Sequence, residues 1–131
     1  MILDSTYLFD LMAENPGAFE TGTRLVEDGE VQWLPTPVLA ETYYGAATAR
    51  GGTTTEEVRN RLLGYPRLDV SDEVARTAGF LLAEADDSSG GNSGVGPNDA
   101  YIAAMAEIMD DAVLTKNVSD FERLGVAVEE Y

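Results

Sequence analysis

The stretch Gly96-Pro97-Asn98-Asp99-Ala100-Tyr101-Ile102-Ala103-Ala104-Met105 requires a helix that is covered on more than one side. Pro97 suits the first helical turn, where its missing N–H would have had no partner. Tyr101, Met105 and Ile108 recur at helical spacing, and so do Ile102, Ala106 and Met109. A helix apolar on several faces has to pack between other elements. Asp99 is out of place in it, a carboxylate in the first turn of a core helix. The partial positive charge of a helix N-terminus favours its ionised form. Alone it reads as a capping or first-turn residue. A sharper reading needs other acids to meet it.

The rest of the chain alternates short apolar runs with amphipathic ones. Met1-Ile2-Leu3 reads as a buried strand ending at Asp4, and Ser5-Thr6 can cap a helix carrying Tyr7, Leu8, Leu11 and Met12. Asn15-Pro16-Gly17 breaks that helix, and a second follows over about 18–28. Val31–Leu34 reads as strand two. Thr36 as N-cap and Pro37 at the first position open a third helix, closed by Arg50-Gly51-Gly52. Thr53 to Glu57 holds two overlapping capping-box patterns before a helix striped with Val58, Leu62 and Leu63. Arg67–Val70 is a weak third strand. Ser71 caps a long helix with Val74, Ala75, Ala78, Leu81, Leu82 and Ala85 on one stripe. Asp87 to Gly94 reads as a flexible surface loop, too short to separate domains. Ala112–Thr115 is strand four, Asn117–Leu124 a loop with a short helix, and Val126–Val128 a closing strand. The expectation is one domain over 1–131, a three-layer α/β/α fold with a mainly parallel central sheet. In such sheets, sites form outside the carboxyl ends of strands where strand order reverses.

Composition narrows the chemistry. The chain has neither histidine nor cysteine, which excludes an imidazole base, a thiolate nucleophile, disulfides and His- or Cys-held metals. Any catalysis must run on carboxylates, hydroxyls, amides, arginine, the single lysine Lys116, or a hard ion held by oxygen such as Mg²⁺ or Mn²⁺. The net charge is −16, with the acids dispersed among apolar residues rather than blocked, so disorder is disfavoured. A surface adapted to high intracellular salt, as in halophiles, accounts for it. At molar salt the Debye length is ~3 Å and self-repulsion is screened, so the charge does not exclude a polyanionic substrate. No apolar run reaches membrane-span length, and Met1-Ile2-Leu3-Asp4 lacks the pattern of a signal peptide, so a cytoplasmic protein with no membrane association is expected.

Several acids fall where a site would form. Asp4 ends strand one, Asp99 opens the anchor helix, and Asn117 and Asp120 follow strand four. Glu41 lies one turn into the third helix, among Pro37, Val38, Tyr44 and Gly45. Each has a plain reading: a cap for Asp4, an exposed side chain for Glu41, a turn for Asn117 and a cap for Asp120. Together they can share one crevice. Carboxylates packed that closely repel each other and take up protons more readily unless a cation neutralises them. One or two Mg²⁺ or Mn²⁺ ions would do so, polarising a phosphate and lowering the pKa of bound water without histidine.

At these residues the chain resembles the PIN domain, and within it the VapC-type toxin ribonucleases. The resemblance rests on Ile2-Leu3-Asp4-Ser5-Thr6, Leu39-Ala40-Glu41-Thr42-Tyr43-Tyr44-Gly45, Asn98-Asp99-Ala100-Tyr101-Ile102-Ala103-Ala104 and Leu114-Thr115-Lys116-Asn117-Val118-Ser119-Asp120-Phe121. It implies a PIN fold, metal-dependent endoribonuclease activity, a homodimer held by helices, and inhibition by an antitoxin partner. It maps the catalytic and metal-binding acids to Asp4, Glu41, Asp99 and Asp120. Asn117 becomes a supporting ligand, because many members have Asn there and Asp three residues on. Asp4 and Asp99 would hold the principal ion, with Glu41 and Asp120 completing the shell. Thr6 and Thr115 match hydroxyl positions near the site, although capping is their plainer role. Lys116 stands beside the site, where it can touch a phosphate of the RNA. Arg50, Arg59 and Arg61 gather around one helix junction, where they could contact the RNA backbone, although solvated surface is their plainer reading. The alternatives are a housekeeping RNA-processing nuclease of the same fold, or a catalytically silent PIN domain that only binds. A phosphoacceptor receiver domain fits worse, because strand one lacks an acidic pair just beyond it.

Overall fold

The computed structural model describes residues 1–48 and 52–131. The elements run β1 (Ile2–Leu3), α1 (Ser5–Met12), α2 (Pro16–Glu27), β2 (Leu34–Pro35), α3 (Thr36–Thr48) and α4 (Thr55–Leu62). They continue with β3 (Arg67–Leu68), α5 (Asp72–Ser88), α6 (Pro97–Met109), β4 (Val113–Leu114), α7 (Val118–Arg123) and β5 (Val128–Glu129). All the strand pairs are parallel: β1 joins β4, β4 joins β5, and β2 joins β3. A parallel bridge between Ile2 and Trp33 links the two sets into the order β3-β2-β1-β4-β5. From β1 the chain first moves one way across the sheet, to β2 and β3. It then returns to the other side for β4 and β5. Right-handed crossovers therefore put the connecting helices on both faces. Strand order reverses between β1 and β4, so Asp4 and Thr115, each just past the end of its strand, are neighbours at the reversal.

Local sequence explains most boundaries. The Asn15 side chain accepts from Ala18 N, so α2 starts at Pro16, two residues before the expected position. Of the two capping boxes at the start of α4, the chain uses Thr54 with Glu57. Ser71 caps α5 through Val74 N, as expected. Strands three and four are shorter than expected, and strands two and five are both shorter and shifted toward the C-terminus, taking in Pro35 and Glu129, because pairing with a neighbour and not apolar content sets their bounds. The expected end of the third helix at Arg50-Gly51 lies outside the described residues.

The core joins Ile2, Leu3, Leu34, Val113 and Leu114 of the strands to Tyr7, Leu8, Val38, Leu81 and Phe121 of the helices. Ala100, Ile102, Ala103, Ala104, Met105 and Ala106 are all buried, so α6 is covered on several sides as its composition required. The last turn departs from that pattern: Ile108 and Met109 are exposed just before the left-handed C-cap at Asp110. Ala75 on α5 is also exposed, which narrows that helix's buried stripe to Val74, Ala78, Leu81 and Ala85. Gly45 sets the spacing between α1 and α3. A Cβ there would lie 2.8 Å from the Phe9 ring. Ile102→Ala, in the fully buried part of α6, should cost about 3 kcal/mol and lower the melting temperature by about 10 °C. Thermal unfolding measures it, and a shift under 2 °C would mean that α6 is not the central packing element.

The segment after α5 is not the flexible loop expected from its Gly and Ser content. Ser93 is buried, and the Asp86 carboxylate accepts from both Ser93 N (2.9 Å) and Ser93 Oγ (2.7 Å). Ser93 O also accepts from Arg123 of α7 at 3.4 Å. The loop that leads into α6 is thereby tied to the element after β4.

Candidate functional site

Asp4 is 3% exposed at the carboxyl end of β1. It occupies the N-cap position of α1 but makes no side-chain cap hydrogen bond. Its Oδ2 accepts instead from Thr115 Oγ1 at 2.6 Å and from Thr6 Oγ1 at 3.1 Å. Each hydroxyl in turn accepts a backbone N–H from the segment after β4: Thr6 from Lys116 (3.1 Å) and Thr115 from Asn117 (2.9 Å). The two threonines are therefore not caps. They fix one oxygen of Asp4 and anchor the β4–α7 segment to it. A β1 residue and a β4 residue can share this acid because their strands are adjacent and in register, Leu3 opposite Leu114.

The other acids come in from separate elements. Glu41 is partly buried rather than exposed, since α3 packs against α1 along its length. Its Oε2 accepts from Ser5 Oγ at 2.9 Å, and its Oε1 is buried with no hydrogen-bond partner. Burial holds the Glu41 carboxyl above its ordinary range; the Ser5 hydroxyl eases that, the charge of Asp4 adds to it, and the Asn98 side chain eases it again. Asp99 sits in the first turn of α6, whose N-cap is Gly96. Its pKa is pushed from 3.8 up to about 6, first by burial and then by the charges of Asp4, Asp120 and Glu41. The charges of the other three acids thus act on Asp99.

Asp120 faces the crevice from α7 with both oxygens engaged: Oδ2 accepts from Asn117 Nδ2 at 2.9 Å, and Oδ1 from Arg123 Nη1 at 3.1 Å. Asn117 occupies the N-cap position of α7 without a side-chain cap bond, so its amide is spent on Asp120. Among the described residues, no three acids are gathered closely enough to hold an ion as their side chains stand. The acids turn to local partners, Glu41 to Ser5 and Asp120 to Asn117 and Arg123, as mutually repelling carboxylates do. The donor set still suits a hard divalent ion: it is all oxygen, one carboxylate oxygen is buried without a partner, and the Asp99 carboxyl is raised by burial and then by its neighbours' charge.

Lys116 projects from the β4–α7 segment toward α1. Its Nζ lies 2.6 Å from Asp10 Oδ2 and 5.1 Å from the centre of the Tyr131 ring. Tyr131 Oη also donates to Asp10 Oδ2 at 2.8 Å, and the ring packs edge-on against Tyr7. These bonds to Lys116 and Tyr131 hold the Asp10 carboxyl below its ordinary range. Arg59 and Arg61 lie on α4, and no ion pair to either is found among the described residues. Arg50 lies outside the described residues.

Sequence reasoning missed Ser5, Asp10, Asn98, Arg123 and Tyr131. Ser5 and Asn98 each adjoin a candidate acid in the chain, which was a signal. Asp10 and Tyr131 lie 121 positions apart and carried none.

A family model described as the PIN domain matches residues 1–127. No curated protein matches the chain. Among solved structures, VapBC2 from Rickettsia felis bound to a promoter DNA fragment is similar at TM-score 0.78 and 20% identity, covering 99% of this chain and 97% of that one. DNA-bound VapBC from Salmonella typhimurium is similar at TM-score 0.78 and 24% identity, covering 98% and 96%. VapBC-5 from Mycobacterium tuberculosis, of the VapBC family of toxin-antitoxin systems, is similar at TM-score 0.62 and 25% identity, covering 98% and 94%. These likenesses concern the fold, a parallel α/β sheet with helices on both faces.

Proposed function

We propose that this chain, which belongs to the PIN domain family, is a metal-dependent endoribonuclease and the toxin of a toxin–antitoxin pair. Proteins of this family are nucleases and generally work with divalent metals. The observation that carries the reading is the buried Glu41 Oε1 left without a hydrogen-bond partner, together with the Asp99 carboxyl that burial and the charges of Asp4, Asp120 and Glu41 raise to about 6. A structural cluster of that kind is destabilising without a cation.

Asp4 and Asp99 are the residues best placed to hold an Mg²⁺ or Mn²⁺ ion, with Glu41 and Asp120 around them. When bound, such an ion supplies charge stabilisation to the phosphate and acidifies a bound water. The chain's own residues do the rest. Thr6 and Thr115 keep one Asp4 oxygen fixed, so only the other is free to turn. Ser5 holds Glu41 by Oε2 and leaves the buried Oε1 without a partner, the oxygen that an ion would use. Asn117 and Arg123 hold Asp120 and match its charge, which limits the repulsion of an incoming phosphate. The whole chain, 1–131, acts as one domain in this scheme.

The antitoxin partner is supported by the VapBC complexes among the similar structures and by a groove along α1 and α2. Leu11, Phe19, Val26 and Tyr65 line it, with Phe19 and Val26 exposed. Tyr7 and Gln32 also line this groove. That combination suits an amphipathic helix of a partner. Exposed Phe80, Ile108 and Met109 on α5 and α6 give a homodimer an apolar surface to use. No helix among the described residues is long and apolar enough to cross a membrane. Cytoplasmic action on RNA and a surface adapted to molar salt complete the proposal.

The test is cleavage of structured RNA in molar KCl, with Mn²⁺ or with EDTA, and with or without a co-purified antitoxin. Cleavage that needs the metal and is silenced by the antitoxin is expected. Metal-independent cleavage would overturn the mechanism. A folded chain that binds metal and never cuts RNA would mark a silent PIN domain.

A further inference from the structure

Lys116 is the only lysine in the chain, and the metal scheme leaves it unused. A lone surface lysine is a flexible, strongly hydrated charge, and ordering its side chain costs rotamer entropy. Here three contacts order it. Its backbone N–H is bound by Thr6 Oγ1, which itself bonds Asp4, so the residue starts one hydrogen bond away from the acid cluster. Its ammonium is held by Asp10 at 2.6 Å and lies over the Tyr131 ring at 5.1 Å. Tyr131 is fixed in turn, its hydroxyl on Asp10 and its ring edge-on to Tyr7, which is fully buried. An exposed ion pair alone contributes little and leaves its side chains mobile, whereas this one is reinforced by a second hydrogen bond and an aromatic floor. Lys116 nevertheless remains 45% exposed, and Asp10 takes only one of the three donors on its ammonium.

We propose that Asp10, Lys116 and Tyr131 form a clasp that presents the Lys116 ammonium at the rim of the acid crevice, to grip a phosphate of the RNA strand. Lys116 is the substrate contact; Asp10 and Tyr131 are positioning residues. The clasp rests on the nuclease reading above. It also answers how a chain of net charge −16 holds a polyanion: a cation is built in beside the acids, already ordered. The footprint it implies is small, close to one phosphate contact beyond those at the metal.

The test uses the full chain in a silenced Asp99→Asn background, with a labelled single-stranded oligoribonucleotide, Mg²⁺, and a KCl series. Lys116→Gln should weaken binding about five- to tenfold. It should also make the log Kd against log salt slope shallower by about 0.7, the value for one lost contact to a single strand. Lys116→Arg should keep the slope. Asp10→Asn removes a negative charge and by charge alone would tighten binding, whereas the clasp has it weaken binding about threefold. Tyr131→Phe, which keeps the ring, should do the same at unchanged fold by circular dichroism. Unchanged affinity and slope in Lys116→Gln, or tighter binding in Asp10→Asn, would overturn the clasp while leaving wild-type cleavage, and so the nuclease reading, intact. A folded wild type that neither binds nor cuts RNA would overturn both.

Discussion

Replacing Asp99 by Asn should lower RNA cleavage about a thousandfold or more and, in the same protein, raise its stability in the absence of metal. In the proposed scheme the first effect follows from removing a carboxylate that would hold the metal at the phosphate, where charge stabilisation is usually the largest contribution to the rate. The second follows from the Asp99 carboxyl, pushed from 3.8 up to about 6 by burial, Asp4, Asp120 and Glu41. The folded chain holds this proton more tightly than the unfolded one. Stability therefore declines as the pH rises from about 4 through about 6, and stays reduced above that. A gap of roughly 2 pH units corresponds to about 3 kcal/mol, which partial exposure of the carboxylate cuts to about 1–2 kcal/mol. In EDTA at pH 7.5, Asp99→Asn should melt roughly 4–7 °C above wild type. At pH 4 the two should coincide. Saturating Mn²⁺ should reverse the order, since ligand binding stabilises only the chain that binds it. Equal melting temperatures in EDTA at both pH values would mean that the four acids do not share a field.

Among changes outside the candidate ligands, Thr115→Val should be the most damaging to activity. Thr115 is fully buried, its hydroxyl donating to Asp4 at 2.6 Å and accepting from Asn117 N at 2.9 Å. Valine keeps the shape and leaves both partners short of a hydrogen bond, one of them a carboxylate. Such a loss costs about 2 kcal/mol. Freeing Asp4 should also lower activity and Mn²⁺ affinity about 10- to 100-fold, as removal of the residues that orient a metal ligand does. Thr6→Val should be milder on both counts, because Thr6 is only partly buried and water can replace its hydroxyl. A Thr115→Val protein with native metal affinity would assign the threonine to folding alone.

The architecture was readable because each strand is a short apolar run with a capped helix after it, and hydrophobic periodicity reports on that directly. Ser71, Thr54 and Asn15 mark helix starts by chemistry that acts over three residues, within reach of local reasoning. The four acids could be listed from their places at strand ends and helix starts. What they bond to was not legible. Thr115 and Asp4 are 111 positions apart, and only the pairing of β1 with β4 brings a hydroxyl to that carboxylate. The Asp87–Gly94 segment misled for the opposite reason. Its composition describes a free loop, while two bonds from Asp86 to Ser93 make it a fixed one. Ile108 and Met109 continue the apolar period of α6, yet a period cannot say where the cover over a helix stops.

The most direct test of the account is a Mn²⁺ titration of the metal-free full chain in molar KCl, run beside an Asp4→Asn/Asp99→Asn double variant whose fold is checked by circular dichroism. The account predicts saturable binding by the wild type and none by the folded double variant. Equal binding by both, or no binding by a folded wild type, would contradict a shared metal site at Asp4, Glu41, Asp99 and Asp120.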